Sequence, residues 1–306
     1  MSRLPRSRAL LATLVGLLAF PVAASAYDAP APSGSSPLRY RDAVFTNVSV
    51  ARGLTYGQVT NADGTVTKLL LDLYQPTGDT SRTRPVMIWV HGGYFAYGSR
   101  TEGAVSTLAQ RFAQRGYVTA SIDYRLLGGT GSALCTGAST PPSCFSAALA
   151  ATSDAKQSVQ WFRRYASALR IDPTRISMGG TSAGAITSVL AAASPAPGSA
   201  TTPSSTITTA FSISGGSPTN IIFNAGDSSV YFWHGTADTI VPIDWARSNL
   251  PVMQSKGILG VLHEIPGAGH VPFGQYGDDM DTQARNWVYD QMNLELADQR
   301  GFPGAP

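Results

Sequence analysis

Apolar residues follow two rhythms along this chain. Short runs at residues 86–90, 117–122, 210–213, 230–233 and 261–265 are apolar nearly throughout. Such runs read as strands buried on both faces. Between them, apolar positions recur at helical spacing. Residues 107–115 form one such stretch, closed by Gly116, a residue suited to ending a helix. A longer one covers 147–169, with Val159, Phe162, Tyr165 and Ala166 in phase. Others follow Ala183 and cover 280–296. Near the start, residues 43–50 alternate weakly and predict a first strand. Residues 54–60 and 66–74 flank Asn61-Ala62-Asp63-Gly64 and predict a hairpin. Strands alternating with helices predict a mostly parallel sheet covered on both faces. Ligands bind such sheets at the carboxyl ends of the strands.

The first 26 residues stand outside this pattern. Arg3, Arg6 and Arg8 precede an apolar run to Phe20, and Ala24-Ser25-Ala26 offers a small-residue cleavage site. That is the design of a secretory signal peptide cut near Ala26. The expected product is extracellular or periplasmic, and its apolar runs are too short to span a membrane. Residues 27–42 are expected to be a mobile arm, 43–296 a single α/β domain, and 297–306 a frayed tail.

The leader also changes the charge balance. Taking its three arginines from 22 basic side chains leaves 19 against 19 acidic. A neutral mature chain gives no reason to expect nucleic acid as a partner. Cys135 and Cys144 are the only cysteines. In an exported chain, two cysteines close together in a Gly/Ser/Pro-rich loop predict a local disulfide. No His-Glu-x-x-His pattern or clustered histidine appears, so neither metal nor cofactor is expected.

The chemistry centres on Gly180-Thr181-Ser182-Ala183-Gly184, which matches G-x-S-x-G between an apolar strand and a helix. There a serine projects from a sharp turn, with glycines where strand and helix cross. Serine needs a base to take its proton, and the base needs an acid to orient it. Four histidines are available. His91 opens a Gly-Gly turn, His234 ends a strand, and His263 lies within one. His270 sits in a Gly-rich loop after the last strand and is the expected base. The acid should lie between Ser182 and His270 in the chain. Asp238 follows a strand by a short turn and is favoured. Asp227 reads as a turn residue, Asp244 as a helix N-cap, and Glu264 as a strand residue on the wrong side of the loop. Oxyanion donors are expected from Ala183 and from the turn His91-Gly92-Gly93-Tyr94. Asp123, Arg125 and Asp154 read as paired supports of the sheet edge.

These motifs together resemble an α/β-hydrolase of the bacterial esterase/lipase type, near the hormone-sensitive-lipase-like and HGG-containing carboxylesterases. The resemblance rests on His91-Gly92-Gly93, Asp123-Tyr124-Arg125-Leu126, Asp172-Pro173-Thr174-Arg175-Ile176, the Ser182 pentapeptide, His234-Gly235-Thr236-Ala237-Asp238 with Val241-Pro242, and Gly269-His270. It implies the α/β-hydrolase fold with a small cap or none. It implies Ser182 as nucleophile, Asp238 as acid and His270 as base. Gly93, Tyr94 and Ala183 are the implied oxyanion donors, with Gly92 a further candidate. The implied substrate is an ester, and an open cleft suits a bulky or polymer-borne one. Tyr94 departs from the third glycine of the family's loop. His91-Gly92-Gly93-Tyr94 also resembles the loop of arylformamidases, which keeps amides open. A serine peptidase and a non-catalytic scaffold are the remaining alternatives.

Overall fold

The computed structural model describes residues 37–61, 63–126, 142–193, 204–218 and 223–295. In chain order it contains β1 (Val48–Thr60), β2 (Val66–Pro76), β3 (Arg84–Val90), α1 (Gly103–Gln114), β4 (Val118–Ile122), α2 (Pro142–Arg164) and α3 (Ala166–Leu169). Then come β5 (Ile171–Thr181), α4 (Ala183–Ala192), β6 (Thr209–Ile213), β7 (Ser229–Gly235), α5 (Ile243–Ser255), β8 (Gly260–Ile265) and α6 (Phe273–Gln291). The eight strands form one sheet in the order β1-β2-β4-β3-β5-β6-β7-β8. β1 and β2 form an antiparallel hairpin, and β2 pairs antiparallel with β4. Every later pairing is parallel. This is the α/β-hydrolase fold.

Alternation along the central strands divides two cores, because successive side chains leave a strand on opposite faces. Val86, Ile88 and Val90 pack with Ala151 and Val159 of α2, Ile186 of α4 and Met253 of α5. Met87 and Trp89 pack on the other face with Leu108 and Phe112 of α1 and with Met280 and Trp287 of α6. Burial on both faces is why these strands are mostly apolar, and polar residues within them such as Thr119, Ser121, Ser177 and Ser212 are small and themselves buried.

Several boundaries differ from the sequence expectation. The segments expected at 43–50 and 54–60 merge into one strand, β1, which begins only at Val48; residues 43–47 precede it outside any strand. Its register with β2 shifts between Ala51 and Leu54 and again between Thr55 and Gly57. Gly53, at φ 66°, therefore marks a bulge rather than a break. Helix α2 begins at Pro142, so Cys144 lies in a helix and is buried rather than in an exposed loop. Proline is tolerated in a first helical turn, where its missing N–H has no partner to lose. The last helix starts at Phe273, seven residues earlier than expected, and Asp172-Pro173 lies within β5.

The arm expected at 27–42 is docked at its end. Tyr40 is fully buried, its N–H donates to Arg115 O at 2.7 Å, and its ring meets Tyr117 edge-on at 5.3 Å. The leader, Cys135 and the tail at 297–306 lie outside the described residues.

Candidate active site

Strand β5 ends in Gly179-Gly180-Thr181, and Ser182 is the N-cap of α4 at φ 53°, ψ −118°. A non-glycine residue in that region is strained. The turn is held by Ser182 N–H, which donates to Ile213 O at 2.9 Å, and by Ile186 N–H, which donates to Ser182 O at 3.0 Å. The serine is thereby fixed at the carboxyl edge of the sheet, between β3 and β6.

His270 and Asp238 arrive on neighbouring loops, after β8 and β7. Ser182 Oγ lies 2.8 Å from His270 Nε2, and His270 Nδ1 lies 2.8 Å from Asp238 Oδ2. The Asp238 side chain is fully buried. Its Oδ1 accepts from Ile240 N and Val241 N at 2.9 and 3.0 Å. Burial alone would raise its carboxyl pKa. Hydrogen bonds from His234 and His270 outweigh that and hold it well below the usual carboxylate range. The two loops are stitched together: Ala237 N–H donates to Ala268 O at 2.9 Å, and Gly267 N–H to Thr236 Oγ1 at 2.9 Å. A side chain on Gly235 would meet Ala268 O at 2.2 Å, so glycine is what lets the loops close.

Val271 follows the base at φ 41°, an outlier for a β-branched residue. Its N–H donates to Ser214 Oγ at 3.0 Å, and its carbonyl accepts from Phe273 N–H at 2.7 Å. Ser214 was not singled out from the sequence. The only signal was its position just after β6.

Of the other acids weighed, Asp227 closes a turn with Asn224. Asp244 is not an N-cap: Pro242 occupies that position, and Asp244 sits in the first turn, exposed and 3.2 Å from Arg247. Glu264 pairs with the same arginine at 2.7 Å.

The turn after β3 places Gly93, Tyr94 and Phe95 in succession at φ 108°, 58° and 61°. A Cβ on Gly92 would lie 3.2 Å from Ser182 Cβ, so this backbone approaches the serine closely. Gly92 N–H, however, donates to Glu102 Oε2 at 3.1 Å. That bond removes Gly92 from the candidate donors and leaves Gly93, Tyr94 and Ala183. Ala183 is the first residue of α4, so its N–H has no intrahelical partner. The ring of Tyr124 stacks on His91 at 4.4 Å, and its hydroxyl donates to the His91 and Gly92 carbonyls, each at 3.2 Å.

The expected supports regroup. Arg125 pairs with Asp154, its Nε reaching Oδ2 at 2.9 Å. Asp123 instead takes Arg100, whose N–H and Nη1 reach it at 2.7 and 2.6 Å. Arg100 continues to the buried Asp72 at 2.8 Å. Among the described residues, no group of His, Cys, Asp and Glu is arranged to hold a metal ion. No described helix is long and apolar enough to cross a membrane.

Fold and site define an α/β-hydrolase. Residues 71–209 match the family described as BD-FAE, a span that includes the His91 turn and Ser182 and ends before Asp238 and His270. Esterase 2 of Thermogutta terrifontis, phosphorylated by paraoxon, is similar with a TM-score of 0.62 at 24% identity, covering 86% of this chain and 97% of that one. Its native form gives 0.61 at 25% identity, covering 88% and 98%. The propionate-bound form gives 0.60 at 25%, covering 88% and 99%. No curated protein matches the chain. Over residues 71–209 and in these solved structures the chain is thus similar to esterases of the α/β-hydrolase fold.

Proposed function

We propose that this protein hydrolyses carboxylic esters through an acyl-enzyme formed on Ser182. The observation that carries the reading is the continuous contact from Ser182 Oγ through His270 to Asp238, both steps 2.8 Å long. His270 Nε2 takes the serine proton as Oγ attacks the ester carbonyl, and returns it to the departing alkoxide. Water then repeats the sequence on the acyl-enzyme and frees the acid. Asp238 stays ionised, holds the proton on Nδ1 and stabilises the imidazolium. The N–H groups of Gly93, Tyr94 and Ala183 receive the oxyanion, preorganised by the strained turn and the start of α4. The leader supports secretion of the cleaved chain, with release before Tyr27.

A fluorophosphonate probe followed by peptide mass spectrometry tests the reading. Modification should fall on the peptide holding Ser182, and Ser182→Ala should lose about 10⁴-fold or more in kcat on p-nitrophenyl acetate. Labelling elsewhere, or turnover by Ser182→Ala, refutes it. Faster cleavage of a peptide anilide or an arylformamide would move the substrate from esters to amides. Mass spectrometry of the exported protein reads the leader: an intact N-terminus contradicts cleavage.

A further inference from the structure

His234 is the next-to-last residue of β7, four positions before Asp238. Both side chains are fully buried. His234 Nε2 lies 3.0 Å from Val241 O and 3.2 Å from Asp238 Oδ2. Both oxygens only accept, so the imidazole proton sits on Nε2. Oδ2 is also the oxygen that faces His270 Nδ1 at 2.8 Å. The carboxylate is therefore surrounded by donors. Oδ1 is held by two backbone N–H groups, and Oδ2 receives one imidazole from each side of the acid. His234 Nδ1, by contrast, is buried without a hydrogen-bond partner among the described residues. An unpartnered buried ring nitrogen is a cost that a side chain kept only for packing would avoid. The donor at Nε2 is what offsets it.

We propose that His234 is a positioning residue for the hydrolysis argued above and acts only through Asp238. Its Nε2–H keeps the carboxylate in the rotamer that presents Oδ2 to His270. Without it, the carboxylate is held only by the two backbone donors on Oδ1 and by His270 itself, and turns away from the base for part of the time. The base then loses its orientation, while nothing that contacts the ester changes. The loss falls on kcat and leaves KM alone. The inference rests on the assignment of Ser182, Asp238 and His270.

Two variants of the full chain test it. In His234→Gln the amide nitrogen stands close to the place of Nε2 and still reaches Asp238. In His234→Asn it stands near Nδ1 and does not. His234→Asn should lower kcat on p-nitrophenyl acetate by about tenfold to a hundredfold, in the range of other groups that orient a working histidine. KM should stay within about twofold, and His234→Gln should recover most of the loss at a similar thermal midpoint. Equal kcat in the two variants overturns the proposal, whether both are wild-type-like or both impaired. A measurement on the unmutated protein covers the case in which neither variant folds. In ¹⁵N-histidine-labelled enzyme, the His234 proton should be on Nε2. A proton on Nδ1 overturns the proposal. Ser182→Ala separates the two levels: turnover by that variant removes the underlying reading, whereas its inactivity beside fully active His234 variants removes only this one.

Discussion

Gly184 stands so close under the end of β3 that a Cβ on it would come within 2.1 Å of the Val90 carbonyl oxygen and 2.5 Å of that of His91. Gly180 is similarly confined: a Cβ on it would come within 2.4 Å of the Gly184 carbonyl carbon and oxygen. The spacing of two glycines around Ser182 is therefore set by backbone against backbone, where no rotamer change gives relief. Gly184→Ala should cost on the order of 2–3 kcal/mol or prevent folding. Urea unfolding reads this, and an unchanged midpoint contradicts the packing described.

Asp238 and Asp244 lie six positions apart, in opposite surroundings. Asn at 238 keeps the shape but favours the wrong imidazole tautomer, and should cost about 10⁴-fold in kcat. Asn at 244 removes one exposed contact to Arg247 and should leave rate and stability nearly unchanged. Steady-state kinetics and thermal melts of both variants decide the matter. A dead Asp244→Asn beside an active Asp238→Asn would reassign the acid.

Asp72 sets an acid limit on stability. Burial raises its carboxyl pKa, but the Gly53 N–H and the guanidinium of Arg100 outweigh burial and lower it, with Arg52 assisting. The unfolded carboxyl titrates near ~3.9, above the folded value. Below about that pH the unfolded chain therefore binds the proton first. The stability Asp72 contributes is complete above the unfolded value and is lost as pH falls through the folded one. Asp72→Asn should be clearly less stable than wild type at neutral pH, and the gap should narrow toward about pH 3. Urea midpoints across that range measure it. A gap independent of pH would show that the ionised form is not what matters.

Cys144 is buried in the first turn of α2, and a bridge to Cys135 would close a short loop ahead of that helix. Replacing both by serine should cost about 2–3 kcal/mol. Thiol titration of the denatured, unreduced protein should find no free thiol. Two thiols per chain would dismiss the pairing.

Legibility in the sequence followed locality. Ser182, Asp238 and His270 each sit just beyond an apolar strand inside a short glycine-bearing pattern, and in the structure the three side chains meet. The parallel sheet was readable because burial on both faces leaves short runs that are mostly apolar. The supports were not readable in the same way. Arg100 joins Asp72 and Asp123 across 28 and 23 residues, and no spacing rule ties an arginine to partners that far away. Glu102 reaches Gly92 N–H from the start of a helix, where an acidic residue has a sufficient local explanation. The segments at 43–50 and 54–60 read as separate because Gly53 falls between them, and a bulge and a turn both call for positive φ. Nothing about valine announces the left-handed backbone of Val271, which depends on Ser214, 57 residues earlier.

The parts of the site do not share one mechanical fate. Ser182 rises from β5, which is flanked by β3 and β6 in the middle of the sheet. His270 continues from β8, an edge strand whose only strand neighbour is β7. Edge elements open at lower free energy than central ones. Under mild heat or denaturant, the base therefore departs while the serine is still seated in an intact core. Inactivation precedes collapse, and it is reversible for as long as the centre of the sheet keeps a template on which β8 can dock again.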